Sequence, residues 1–310
     1  MTRENGRMSL TQPANTWEPP DWTNGLGLAR TAVGGSALAV LRRDGEPAAR
    51  TALVDGQTFE DLPALLAAAD GDPTVIRAGA WVDVPDHLLL TPVGRPGKII
   101  CIGQNYLAHV HEGGRTAGPA HPDLFPKWHT SLAAPYADVP LPPESAQIDY
   151  ESELAIVIGR RARRIGSADA EHFVFGYTAA NDVSVRDYQF HTTQRAAGKA
   201  WDGLTPVGPV VVPAGALGGV RPDLAITGTL DGRVMQRDRT SRLIYGVPEL
   251  LAYITTIMTL EPGDLILTGT PAGVGFVREP KVLLEHGSEF AVRVDGVGTL
   301  RNHFFAEKDG

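Results

Sequence analysis

"QIDYESELAIVIGRR", residues 147–161, joins a charged entrance to an apolar run. Leu154, Ala155, Ile156, Val157 and Ile158 follow one another without a break, and Gly159 ends them. A short continuous run of this kind reads as a buried strand. Side chains at i and i+2 of a strand point the same way. Glu151 and Glu153 therefore share a face, which Ala155 and Val157 continue inward and Asp149 precedes. Two carboxylates held close in a poorly solvated place repel, and one tends to take up a proton. A hard divalent cation removes that conflict, because carboxylate oxygens are its natural ligands. The spacing alone also fits an edge strand with a polar face.

Outward from this run, the chain of 310 residues is 43% hydrophobic and 21% charged, which is ordinary globular composition. Its length suits about two domains, or one large domain with an appendage. A net charge of −8 without a long basic run argues against a nucleic-acid partner. Arg160, Arg161, Arg163 and Arg164 read as a solvated strand end and turn. Cys101 is the single cysteine, so no disulfide forms within the chain. Its place in the apolar "KIICIG" predicts a buried, inert thiol. No apolar stretch approaches the roughly 18 residues of a membrane span. A cytoplasmic protein with no membrane partner is the expectation, and residues 1–24 are expected to be a flexible leader.

Short β runs separated by turn signals fill most of the rest: "KIICIG", "DVPLP", "FVFGYTAAND", "GPVVVP", "LAITGTLDG", "DLILTGT" and "EFAVRVDGVGTL". "TFEDLPALLAAAD" is a helix candidate, with Thr58 as N-cap and Asp61 as a weak capping-box partner. "SRLIYGVPELLAYITTIMTL" is the main one, and Pro248 marks the first turn of its second half. "TPVGRPGK" breaks the pattern. The expected division is a leader over 1–24, a small N-terminal α+β domain over 25–95 and a catalytic domain over 96–310. The class is mostly β, or α+β, without the regular β–α alternation of a dinucleotide-binding fold.

Two further stretches carry chemistry. "GYTAANDVSVRDYQF" (176–190) puts Asp182 and Asp187 just after an apolar run, where a third carboxylate would complete a Mg²⁺, Mn²⁺ or Ca²⁺ site. "CIGQNYLAHVHEGG" (101–114) sets His109 and Glu112 three apart, on one face of a helix if the segment is helical. A carboxylate beside an imidazole orients it and raises its basicity, which suits a general base. Gly103, Gly113 and Gly114 would let this segment move as a lid. His111 has the other parity and receives no role.

Together with "GKAWDGLTPVGP" and "TLEPGDLILTGTPAGVG", these stretches resemble the fumarylacetoacetate hydrolase family over roughly residues 97–305. The resemblance implies a β-roll catalytic domain behind a small N-terminal domain, and a homodimer. It implies that Glu151, Glu153 and Asp182 hold Mg²⁺ or Mn²⁺, with Ca²⁺ in some members. His109 and Glu112 match a lid dyad that activates water. Lys199 matches a lysine near the metal, with Asp202 holding that lysine or a water in place. Thr270 matches a threonine that binds a substrate carboxylate. Arg186 and Gln189, with Gln104 and Tyr106 of the first motif, match substrate-contacting positions. Arg186 equally suits an ion pair with Asp187 or another local acid.

The chemistry so implied is metal-dependent hydrolysis of a C–C bond in a β-diketo or acylpyruvate-type acid through a stabilised enolate. The same platform serves a lyase or isomerase: a 2-oxo acid decarboxylase, a sugar-acid dehydratase, or an isomerase or decarboxylase of aromatic catabolism. A non-catalytic binding protein on this fold is the reading from another class. The chain departs from the family pattern at Trp128 and His129, where Phe-x-Lys-Pro is usual, and at Trp201, where Phe is common. The expectation is that Trp128 and His129 reshape the pocket rim.

Overall fold

The structure is a computed structural model that describes residues 27–32, 37–43, 46–82 and 88–307; the leader expected at 1–24 lies outside the described residues. The chain opens with β1 (Gly27–Thr31), β2 (Ala37–Arg43), β3 (Glu46–Leu53), α1 (Leu62–Ala68), β4 (Arg77–Val82) and β5 (Leu89–Leu90). There follow β6 (Ile99–Gly103), α2 (Leu107–Glu112), β7 (Asp123–Lys127), β8 (Leu132–Ala133), β9 (Asp138–Leu141), β10 (Ile148–Asp149) and β11 (Ser152–Ile158). Next come β12 (Val174–Asn181), β13 (Ser184–Val185), the short helices α3 (Arg186–Gln189) and α4 (Ala196–Lys199), and β14 (Thr205–Pro213). The last elements are β15 (Ala225–Leu230), β16 (Arg233–Arg239), α5 (Val247–Ile257), β17 (Leu265–Leu267), β18 (Glu289–Val294) and β19 (Gly298–Ala306).

Mixed sheets with few helices make this an α+β protein. The larger sheet runs β4-β3-β2-β1-β14-β12-β11-β17-β6-β7, with β5 on β1 and β8 on β14. A second sheet runs β16-β15-β18-β19-β9, and β10 pairs with β13. β11 lies in the middle of the larger sheet and is buried along its whole length. Its two faces serve two cores. Leu154, Ile156 and Ile158 pack with α5 and the second sheet, whereas Ala155 and Val157 pack with β6, β14, β17 and α1. The larger sheet runs unbroken across residue 95: β1 pairs with β14, and Leu28, Leu62 and Leu65 share a core with Ala155 and Leu267.

α1 begins later than its sequence suggests. Asp61, not Thr58, is the N-cap, and its side chain accepts from Ala64 N at 2.9 Å. Pro63 explains the shift, because proline fits the first turn, where no intrahelical N–H is needed. Pro248 plays the expected part at the start of α5. Cys101 is buried and unpaired, and burial pushes its thiol well up. The arginine cluster after β11 is tied down: Arg160 bonds to Asp70, Arg161 pairs with Glu261, and Arg163 donates to Thr255 O. Among the described residues no helix is long and apolar enough to cross a membrane.

Candidate metal centre and active site

β11 and β12 are fastened at the end where the acids sit. Asp182 N donates to Glu151 O at 2.9 Å, and Glu151 N donates to Asn181 Oδ1 at 3.0 Å. Glu151, Glu153 and Asp182 are all buried, and each brings one carboxylate oxygen within 4.8 Å of the others. Asp187 is engaged elsewhere, accepting from Ser145 Oγ at 2.7 Å.

Three cations enter this cluster. Lys199 Nζ donates to Glu151 Oε2 at 2.7 Å and to Asp182 Oδ2 at 2.8 Å. Lys127 Nζ donates to Asp182 Oδ1 at 2.6 Å. Arg186 reaches Asp149 Oδ2 at 2.7 Å and Glu151 Oε1 at 2.8 Å. Its ion pairs are therefore with these two acids and not with Asp187. Gln189 Oε1 accepts from Arg186 at 3.0 Å.

Glu153 stands apart, since among the described residues no cation pairs with it and its carboxylate accepts from Gly269 N at 2.7 Å. Burial, with the charges of Asp182 and Glu151, pushes its carboxyl well above the usual range. Burial pushes Glu151 up too, but Lys199, Arg186 and His109 overturn that and hold it well below. Burial lowers Lys199, and the pull of Asp182 and Glu151 more than restores it. Carboxylates in such contrast at one place are a frequent mark of a functional site. The donor set fits a hard divalent cation: all oxygen, buried, and short of positive charge at Glu153.

The rim is built from α2 and the loop after β17. His109 Nδ1 lies 2.6 Å from Glu112 Oε1. A proton on Nδ1 donates to Glu112 and leaves Nε2 as the basic nitrogen. Glu112 Oε2 accepts from Gly273 N at 2.7 Å. The loop "TGTPAGVG" proves to be a row of donors to acids. Gly269 N serves Glu153, Gly273 N serves Glu112, and Gly275 N serves Asp149 at 2.7 Å. Gly269 (φ 99) and Gly273 (φ 109) need their freedom, and a Cβ on Gly273 would lie 2.1 Å from Met235 O.

His109, Glu151, Arg186, Gln189 and Lys199 line one cavity of about 280 Å³, together with Gln104 and Thr270. Thr270 Oγ donates to Ser152 O at 3.0 Å and accepts from Gln236 Nε2 at 2.7 Å, so its hydroxyl proton is already engaged. Tyr106 does not line the cavity. It is buried at the start of α2, and burial lifts its phenol above the ordinary value. Asp202 corrects the expectation that it holds Lys199. It is exposed, in a shallow hollow with Trp128 and Trp201, while the ammonium of Lys199 is bound by Glu151 and Asp182. Trp128 and His129 likewise leave the rim alone. Trp128 is half exposed in that hollow, and His129 lies against Arg95. Phe125 lies against Lys199 and Lys127 bonds Asp182, whereas Trp128, the next residue, is half exposed.

Sequence reasoning left Lys127, Asp149 and Arg115 without roles. Asp149 shares the parity of Glu151 and Glu153, and Lys127 shares that of Phe125, so strand alternation carried both signals. Arg115 follows two glycines in a loop, where no periodicity points anywhere.

The family model for the fumarylacetoacetate (FAA) hydrolase C-terminal domain matches residues 98–305. The chain is 39% identical over 236 residues to "Oxaloacetate tautomerase FAHD2A, mitochondrial" of Bos taurus, covering 74% of each. A 2-hydroxyhepta-2,4-diene-1,7-dioate isomerase from Mycobacterium marinum superposes with a TM-score of 0.70 at 30% identity, over 92% of this chain and 99% of that one. Fumarylpyruvate hydrolase from Pseudomonas aeruginosa, in complex with Mn²⁺ and pyruvate, gives 0.62 at 32% identity, over 70% and 91%. Relatives of this kind are enzymes that tautomerise, isomerise or hydrolyse, and with two-thirds of its length under one family model the chain belongs to the fumarylacetoacetate hydrolase family.

Proposed function

We propose that the protein is a divalent-metal-dependent enzyme that interconverts the keto and enol forms of a 2-oxo acid. One observation carries this reading. A buried, oxygen-only cluster with unbalanced charge reaches, through Glu151, the cavity that a carboxylate-oriented histidine also lines. Glu151, Glu153 and Asp182 would hold Mg²⁺ or Mn²⁺, which when bound supplies Lewis-acid polarisation of the substrate carbonyl. Four buried carboxylates (Asp149, Glu151, Glu153, Asp182) face three buried cations (Lys127, Arg186, Lys199). A dication leaves the cluster one positive charge in excess, which suits an acid substrate.

His109 is the base, taking a proton from the carbon next to the carbonyl through Nε2. Glu112 holds the ring in the required tautomer and steadies the imidazolium that results. Lys199 places a fixed positive charge where negative charge develops on oxygen. Returning the proton to oxygen gives the enol, and to carbon the ketone. This reaction asks only for one base and an anion-stabilising floor, and the tautomerase name of the Bos taurus relative supports it.

Hydrolysis of a C–C bond in an acylpyruvate-type acid is the second reading, favoured by the intact His109–Glu112 pair, which suits delivery of water. The test follows the decay of enol-oxaloacetate absorbance with the Mg²⁺- or Mn²⁺-loaded protein and again with a chelator. Metal-dependent acceleration is expected. Release of two carboxylic acids from an acylpyruvate, seen by NMR without enol–keto acceleration, would replace this reading with the second.

A further inference from the structure

We infer that Gln236, on the edge strand of the other sheet, is a positioning residue of the metal centre. Its amide completes the ladder of the strand that carries Glu151 and Glu153, and ties that strand to the loop lining the cavity. This rests on the reading of Glu151, Glu153 and Asp182 as metal ligands.

β17 partners only Ala155, Ile156 and Val157 of β11. One step further, Thr268 N still donates to Leu154 O at 3.0 Å. Alternate residues of a strand turn N–H and C=O toward the same neighbour, so Ser152 also presents a donor and an acceptor on this side. Side chains meet them there. Ser152 N donates to Gln236 Oε1 at 2.9 Å, and Ser152 O accepts from Thr270 Oγ at 3.0 Å. Gln236 Nε2 closes the ring, donating to Thr270 Oγ at 2.7 Å and to Pro271 O at 2.8 Å. A side-chain amide carries the carbonyl and N–H of a peptide group, so Gln236 stands in for the strand that has ended. Ser152 lies between Glu151 and Glu153, and Thr270 lines the cavity. All these bonds of Gln236 end on the ligand strand or on the cavity loop.

β16 is shaped to deliver this amide. Strand alternation would bury Met235 or Gln236, yet both are buried, at 5% and 1% exposure. The pairing with β15 shifts between Gly228 and Thr229, which makes Met235 an extra residue, and a bulge of this kind re-aims the next side chain. Met235 O accepts from Arg278 Nη2 at 2.7 Å, which holds the bulge on the loop. Opposite Gln236 stands Gly228, where a Cβ would lie 2.2 Å from Ser152 Oγ. An apolar side chain at 236 would leave Ser152 N, at the metal end of β11, without its acceptor.

The test titrates Mn²⁺ by electron paramagnetic resonance into the wild type, Gln236→Leu, Gln236→Glu and Leu300→Ala. Leu300, buried in the core of the same sheet, is the control for lost stability alone. Gln236→Leu should weaken Mn²⁺ binding by about 10- to 100-fold, as loss of an outer partner of a metal site does, and alter the spectrum of the bound ion. Gln236→Glu keeps the acceptor for Ser152 N and loses both donors, so it should fall between that variant and the wild type. Leu300→Ala should lower the unfolding midpoint and leave Mn²⁺ affinity near wild type. Wild-type affinity and spectrum in Gln236→Leu would overturn the proposal. Should Gln236→Leu fail to fold, the same two readings on Gln236→Glu decide: weaker binding supports the proposal, and unchanged binding refutes it. If the wild type binds no Mn²⁺, the metal-centre reading fails, and amide hydrogen exchange over residues 151–153 and 268–273 decides the positioning role separately. Faster exchange in Gln236→Leu or Gln236→Glu than in Leu300→Ala supports it, and equal exchange refutes it.

Discussion

Glu151, Arg186 and Lys199 line the floor of the cavity, and Glu153, Asp182 and Lys127 lie against them; all six are more than nine-tenths buried and joined by ion pairs of 2.6–2.8 Å, save Glu153, which bonds Gly269 N. At the rim, His109 and Glu112 keep 17% and 18% of their side chains exposed, and Arg115 and Arg195 reach toward solvent. The acids of the floor sit at the adjoining ends of β11 and β12, which are paired on both sides, while its cations come from the edge strand β7 and the short helices α3 and α4; the rim comes from α2 and loops. Buried ion pairs are costly to leave incomplete, so the floor tolerates little change. The rim bears groups whose worth depends on what binds. On the proposed keto–enol reading, the floor sets the class of chemistry and the rim chooses substrate and outcome.

Substitutions can break this contrast. The largest effect belongs to Glu151→Gln or Asp182→Asn. Each should weaken Mn²⁺ binding by more than about 100-fold, the upper end for outer partners of a metal site, with activity falling to the chelated background. Electron paramagnetic resonance of free Mn²⁺ reads the first and the enol assay the second. A variant that kept full metal affinity would remove the metal centre from the floor. Asp149→Ala comes next. It strips Arg186 of a fully buried partner and should cost about 3–5 kcal/mol in urea unfolding. A loss no larger than that of an exposed ion pair would show that the floor is not as dry as its burial indicates.

At the rim, His109→Asn should lower kcat by roughly 10²-fold or more while leaving Mn²⁺ affinity and the unfolding midpoint near wild type. Loss of metal binding there would erase the distinction between the two regions. The smallest effect is expected for Asp202→Ala. Exposed and outside the cavity, it should stay within about 0.5 kcal/mol in stability and near wild type in kcat/KM. A large fall would restore a link between Asp202 and Lys199.

The strands that carry the floor are legible because burial on both faces leaves continuous apolar runs, as in β6, β11, β12, β14 and β17. β7 and β16 give no such signal, and both are sheet edges. β7 contains Pro126, which an edge accommodates, and β16 reads "RVMQRDR", the charged pattern that discourages edge pairing. Lys127 hides in β7 for that reason. The His109–Glu112 pair is legible because helical spacing fixes it. Arg115 is not, because a loop has no period. Asp202 shows the opposite error, where a role implied by the family resemblance is not met because the residue lies exposed beyond α4.

The glycine loop after β17 has one more consequence. Its amides reach Glu153 and Asp149 at the floor and Glu112 at the rim. Glu112 has two oxygens, one for His109 and one for this loop. The carboxylate that orients the His109 ring is thus also the one that ties α2 to the loop. Withdrawal of α2 from the loop leaves Gly273 N without its acceptor and takes the oriented imidazole away with it. If His109 is the base of the proposed reaction, these two bonds tie its arming to the register of α2 on the loop.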